Sequence, residues 1–140
     1  MHCNAKFFVR PAVDADIPII EGWLAQHPDV ESLAVNWKTT LHVYKTRGML
    51  VMEDIPAMGP IAYFWGNLAG HDSVLEVRYE RRGQGAGKAF VEYLIDQASN
   101  EDRHELLVEC APHTSQNFWC RMGFDIEREG HRCYGRRRLR

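Results

Sequence analysis

The sequence predicts an α/β (α+β) fold, with helices on both faces of a mixed, mostly antiparallel central sheet of six to seven strands. Three observations lead there. Short β-rich runs alternate with amphipathic runs along the whole 140 residues. Three consecutive strand-like runs, 49–53, 61–66 and 73–79, are joined by connections too short for a crossover, which makes them an antiparallel meander. The strand–helix–strand unit from Val74 to Cys110 is long enough to be a parallel crossover. A chain of 140 residues is read as one domain, 1–140.

The elements follow in order. Phe7-Phe8-Val9-Arg10 is a first strand, interrupted by Pro11. Asp14 is the expected N-cap of a helix over 16–24, which ends at His27-Pro28. A second helical segment spans 30–45, with Leu33, Trp37, Leu41 and Tyr44 at helical spacing. The meander comes next, with a turn cluster at 56–60 and a loop at 68–72. A glycine-rich turn then opens an amphipathic helix ending near Asn100. Leu106 to Cys110 is a strand stopped by Pro112. Ser115 to Met122 is a short helix with Gly123 as its C-cap. Residues 124–134 form one or two strands around a turn at Glu129-Gly130-His131. The basic tail Arg136-Arg137-Arg138-Leu139-Arg140 is expected to be solvated.

Composition excludes several classes. The net charge of −2 recruits neither nucleic acid nor an anionic membrane surface. No apolar run reaches the roughly 18 residues of a membrane span, and the N-terminus lacks a leader's apolar region. A cytoplasmic location follows as the expectation. The four cysteines, Cys3, Cys110, Cys120 and Cys133, are widely spaced and expected to be free thiols. Cys110-x-x-His113 and His131-x-Cys133 are looser than structural zinc spacings, so no metal is expected. Cys110 reads better as a small apolar strand residue.

The chemistry centres on Arg82-Gly83-Gln84-Gly85-Ala86-Gly87-Lys88. Glycines let a backbone approach a ligand closely, and a helix N-terminus offers unpaired N–H groups with partial positive charge. Together they form a phosphate cradle. It is not the mononucleotide P-loop, because Arg82 stands where the first glycine belongs and Ala89 where a magnesium-binding hydroxyl belongs. It is not the dinucleotide fingerprint either, since Gly83 and Gly85 lead to Lys88 and Phe90 where a third glycine is required.

The spacing Arg82-x-x-Gly85-x-Gly87 resembles the coenzyme A diphosphate loop of the GNAT superfamily of N-acetyltransferases. The likeness extends over Val77-Arg78-Tyr79-Glu80-Arg81 before the loop. It takes in Phe118-Trp119-Cys120-Arg121-Met122-Gly123-Phe124 after it, and Val9-Arg10-Pro11-Ala12 with Asp14-Ala15-Asp16-Ile17 near the start. The resemblance implies that acetyl-CoA binds where two parallel strands, ending near Tyr79 and Cys110, splay apart. It implies a cofactor site of Val77, Arg78, Tyr79, Arg82, Gly83, Gln84, Gly85, Ala86, Gly87, Lys88 and Asn117. The amides from Gln84 to Lys88 would hold the diphosphate and the arginines Arg78, Arg81 and Arg82 would add charge. A backbone N–H near Val77 or Arg78 would polarise the acetyl carbonyl.

The acceptor would be a primary amine, of a small molecule or a peptide, that must attack as a free base. A lysine-like amine has a pKa of about 10.4. Glu76 and His71 are the candidate proton acceptors, against the plainer readings of a solvent-facing strand residue and a loop tip. The departing thiolate needs a proton, and the tyrosine that many relatives place second in the aromatic pair is here Trp119. An indole N–H is no ordinary acid. Ser115 could act through a water, although its plainer role is capping. The resemblance implies that Trp23, His27, Trp37, Tyr63 and Trp65 lie on elements bordering the acceptor cleft, against the plainer reading that most of the tryptophans are core. The leading reading is an N-acetyltransferase working by direct attack in a ternary complex. The alternatives are a non-catalytic CoA-binding or regulatory module, and an acetyltransferase acting on aminoacyl-tRNA. A homodimer is compatible with the family.

Overall fold

The structure is a computed structural model that describes residues 6–26, 37–55, 59–69, 73–110 and 115–139. The elements are β1 (Phe7–Pro11), α1 (Asp16–Ala25), α2 (Trp37–Arg47), β2 (Leu50–Asp54), β3 (Pro60–Trp65) and β4 (Val74–Val77). A 3₁₀ turn at Tyr79–Arg81 follows, then α3 (Ala86–Asn100), β5 (Glu105–Glu109), α4 (Gln116–Arg121), β6 (Asp125–Glu129) and β7 (Arg132–Arg138). They fall into two compact units, Met1–Trp65 with Val74–Tyr93, and Gly66–Ser73 with Leu94–Arg140.

In the first unit the strands lie in the order β1-β2-β3-β4. All three pairings are antiparallel, as the meander predicts. β3 is buried at every position because it is covered on both faces, and its sequence is accordingly a near-continuous apolar run. On one face Tyr63 and Trp65 join Ile20, Trp23 and Leu24 of α1, Val43 of α2, and Met49 and Val51 in a single cluster. On the other, Phe64 meets Phe90 of α3, ring centroids 6.1 Å apart.

Asp14 does not cap α1. The N-cap position is Ala15, which makes no side-chain cap bond, and the Asp14 carboxylate instead accepts from the Tyr44 hydroxyl at 2.5 Å. The carboxylate that organises this end is Asp16, the first residue of α1. It accepts from the Val13 N–H at 2.8 Å and from both Arg10 Nη atoms at 2.8 Å. Arg10 Nε reaches Glu53 on β2 at 2.6 Å, so one guanidinium ties β1, β2 and α1 together. The second helix begins at Trp37. The remainder of the expected segment, with Leu33, lies outside the described residues.

The second unit has the order β5-β7-β6, again antiparallel, with α4 against β6 and β7. An isolated parallel bridge joins Ala69 to Leu107. The single sheet expected from sequence is therefore seven strands in two sheets, of four and three. The strand expected to run to Tyr79 stops at Val77, because Tyr79–Arg81 coil into the 3₁₀ turn. The basic tail is also revised. Arg136, Arg137 and Arg138 lie within β7, opposite Leu107, Leu106 and Glu105 of β5, so cross-strand pairing orders a stretch whose charge suggested solvation.

Candidate functional site

The glycine turn occupies the position the sequence indicates. β4 ends at Val77, the 3₁₀ turn follows, and Arg82 to Gly85 lead into α3 at Ala86. Gly83 and Gly85 have φ of +76° and +92°, the left-handed region that side chains disfavour. A Cβ at Gly85 would meet nothing within 4 Å, so this backbone is open to a ligand. The first α-helical bond of α3 runs from the Ala89 N–H to the Gly85 carbonyl at 3.0 Å. The N–H groups of Ala86, Gly87 and Lys88 come before it and have no intrahelical acceptor. No acidic residue occupies the first turn. The geometry suits an anion.

Strand β4 supplies a second donor. The Arg78 N–H is committed to the Ile61 carbonyl at 2.8 Å. Along an antiparallel ladder, hydrogen-bonded and non-bonded pairs alternate, so Val77, opposite Ala62, turns its N–H away from β3. Because β4 is the edge strand of its sheet, the Val77 N–H points off that edge. Of the two amides the sequence left open, the ladder leaves Val77 available.

Glu76 is not a solvent-facing strand residue. It is 7% exposed and lies directly across from Tyr63 on β3. Its side chain therefore shares the face covered by α1 and α2. Arg82 comes back over β4, donating from Nη2 to Glu76 Oε2 at 3.3 Å and from Nε to the Val77 carbonyl at 3.2 Å. Its guanidinium also sits over the Tyr79 ring at 5.5 Å. Arg81 is equally engaged. It forms a two-pronged pair with Asp54 at the end of β2, Nη2 to Oδ1 at 2.8 Å, and donates from Nε to Gln84 Oε1 at 3.0 Å. Arg78 lies 3.5 Å from Glu80. The arginines expected around a phosphate are thus each engaged with neighbouring carboxylates, Arg81 by the closest bonds and Arg82 and Arg78 by longer ones at 3.3 and 3.5 Å.

Above Glu76 the cluster is aromatic. Trp23 stacks on Tyr63 at 6.1 Å with planes 30° apart, and Trp37 meets it edge-on at 6.0 Å. Trp65 Nε1 donates to the Thr40 hydroxyl at 3.0 Å. The Tyr63 hydroxyl is fully buried and makes no hydrogen bond among the described residues, Thr40 being a polar neighbour short of bonding geometry. Burial first, and the Glu76 charge second, push this phenol well above its ordinary pKa, against a smaller pull from Thr40.

The second unit holds the remaining candidates. Ser115 occupies the N-cap position of α4 but makes no capping bond, and its buried hydroxyl has no partner among the described residues. Asn117 is exposed. Trp119 is buried edge-on against Phe118 and Phe124, at 5.1 and 5.2 Å, while the adjacent Cys120 faces outward. Cys110 is a buried free thiol, pushed up to about 11 chiefly by burial. Among the described residues no cluster of His, Cys, Asp and Glu could hold a metal ion. Nor is any helix long and apolar enough to cross a membrane. His71, His27 and His113 lie outside the described residues.

No family profile matches the sequence, and comparison with curated proteins gives no significant match. Solved structures do match. The GNAT family N-acetyltransferase YhbS of Escherichia coli, in complex with CoA, aligns with a TM-score of 0.68 at 20% identity, over 100% of this chain and 86% of that one. The yncA protein of Salmonella typhimurium, with its cofactor acetyl-CoA, aligns at 0.65 and 18%, over 96% and 94%. A Salmonella typhimurium acetyltransferase that modifies the N-terminal serine of ribosomal protein L7/L12 aligns at 0.72 and 10%, over 96% of each chain. With its antiparallel meander, its glycine turn opening α3 and these end-to-end structural matches, the chain has the fold of the GNAT family of N-acetyltransferases.

Proposed function

We propose that this protein transfers the acetyl group of acetyl-CoA to a primary amine by direct attack in a ternary complex. The observation that carries the reading is the left-handed Gly83–Gly85 turn, open to ligand, which starts α3 just beyond the edge strand that aims the Val77 N–H outward. A diphosphate fits the amides from Gln84 to Lys88, with Arg82 free to rotate onto it because 40% of its side chain is exposed. Acetyl-CoA supplies an activated thioester. The Val77 N–H is the donor for charge developing on its carbonyl oxygen. Glu76 takes the proton the amine must lose. The amine nitrogen bonds to the carbonyl carbon, the C–S bond breaks, and the thiolate leaves and is protonated by solvent.

Calorimetry with acetyl-CoA, followed by thiol release over a panel of primary amines, tests this. Binding with turnover of at least one amine is expected, and absence of binding overturns it. One observation favours a second reading, a CoA-binding module without catalysis. Trp119 is locked between Phe118 and Phe124 where a tyrosine acid would be expected. Binding with silence across the amine panel would select that reading.

A further inference from the structure

Among the described residues the Tyr63 hydroxyl is buried with no hydrogen-bond partner, its polar neighbour Thr40 standing short of bonding geometry. A buried hydroxyl without a partner is destabilising, and most buried polar groups are satisfied. Phenylalanine would fill the same space between Trp23 and Trp37 without that penalty. Across the ladder stands Glu76, on the same face and close enough for its charge to act on the phenol. Arg82, bonded at 3.3 Å and part-exposed, holds that carboxylate in this structure. Exposed ion pairs contribute little, and a diphosphate offers a guanidinium a stronger two-pronged alternative.

We propose that Tyr63 is a positioning residue for Glu76: when a diphosphate draws Arg82 away, the Tyr63 phenol becomes the donor that holds the carboxylate and aims it at the acceptor amine. This rests on the acetyltransferase reading and adds a residue to it. The exchange is Glu76 trading Arg82 for Tyr63. It couples cofactor binding to assembly of the proton acceptor. The phenol stays neutral throughout, since burial and the adjacent carboxylate both disfavour its ionisation. It therefore orients Glu76 and does not donate its proton outright.

The test follows the tyrosine Cζ resonances of isotope-labelled protein, which report phenol hydrogen bonding, while calorimetry records acetyl-CoA binding in the same samples. Tyr63 is assigned by its absence in Tyr63→Phe. Saturating acetyl-CoA should move the Tyr63 resonance in the native protein and move it clearly less in Glu76→Gln, whose amide is a weaker acceptor. Tyr63→Phe should melt at the same or a higher temperature without ligand, and should bind acetyl-CoA more weakly than the native protein by up to about tenfold, because a bond formed on binding is lost. On an amine turned over by the native protein it should lose about tenfold in kcat with KM unchanged, the effect of one hydrogen bond to a charged group. A Tyr63 resonance that stays put while acetyl-CoA binds, or a native kcat in Tyr63→Phe, overturns the proposal. If calorimetry shows no acetyl-CoA binding, the cofactor reading itself has failed and the proposal falls with it.

Discussion

Arg82 and Glu76 are joined across the end of β4, Nη2 to Oε2 at 3.3 Å, so the residue that opens the glycine turn holds the buried carboxylate of the strand before it. The pair links the two halves of the candidate site. Its worth to folding is small, because the arginine is 40% exposed and exposed ion pairs contribute under about 1 kcal/mol. Under the proposed function Arg82 would contribute more to binding, since a charge-assisted bond to a phosphate is stronger. Arg82→Ala is expected to weaken acetyl-CoA binding about tenfold or more, with a melting temperature close to native. Calorimetry and thermal melts measure the two separately.

Gly85 allows a graded test of the cradle. Alanine at φ +92° finds open space, so its cost is conformational, about 1–2 kcal/mol. Glutamate adds a carboxylate beside the proposed phosphates, where like charges cost several kcal/mol, roughly a hundredfold or more in affinity. Gly85→Ala should therefore lower stability mildly, while Gly85→Glu should abolish measurable acetyl-CoA binding. Equal affinities for the two variants would remove the loop from the site.

Asp16 predicts an acid-sensitive fold. Burial by itself would raise its carboxyl, but the Arg10 guanidinium and the Val13 amide more than offset this and hold it below the ordinary 3.8. A carboxyl lowered in the folded state contributes stability that is fully present above 3.8 and is lost as pH falls through the lower folded value. Asp16→Asn should reduce stability at neutral pH by about 2 kcal/mol, the scale of hydrogen bonds to a charged group. It should also flatten the fall in stability below about pH 4. Urea melts across the acid range measure both.

Cysteine reactivity should follow burial. Cys110 and Cys133 are buried and Cys110 is pushed up to about 11, whereas Cys120 is exposed. Thiol-specific labelling of the native protein, mapped by peptide mass spectrometry, should modify Cys120 and spare Cys110 and Cys133 until denaturant is added. Rapid native labelling of Cys110 would show that its strand end opens readily.

Much of the site's backbone was legible in the sequence. Gly83 and Gly85 between a β-branched run and an amphipathic one announce a turn that needs positive φ before a helix, and both have it. The alternation of short apolar runs announced the meander. Side-chain partnerships were less legible. Asp14 carries a capping signature, yet Tyr44 takes its carboxylate while the neighbouring Asp16 is clasped by Arg10 from β1. Charge suggested a solvated tail for Arg136 to Arg138, but pairing with β5 outweighs it. Arg81 and Arg82 read as phosphate ligands, and their bonds to Asp54 and Glu76 come from segments 27 and 6 residues away.

By itself, the sequence determined the order of the elements, the glycine turn before α3 and the resemblance that names a cofactor, because these depend on local spacing and on residues such as glycine whose backbone preferences are their own. Only the tertiary structure decided that Glu76 is buried, that Val77 rather than Arg78 has the outward N–H, and that Tyr63 stands across from Glu76. Those facts depend on the register between β3 and β4. A slip of one residue would put Glu76 on the opposite face. Pairing between strands and the helices packed on them set that register, and no pattern within either strand encodes it.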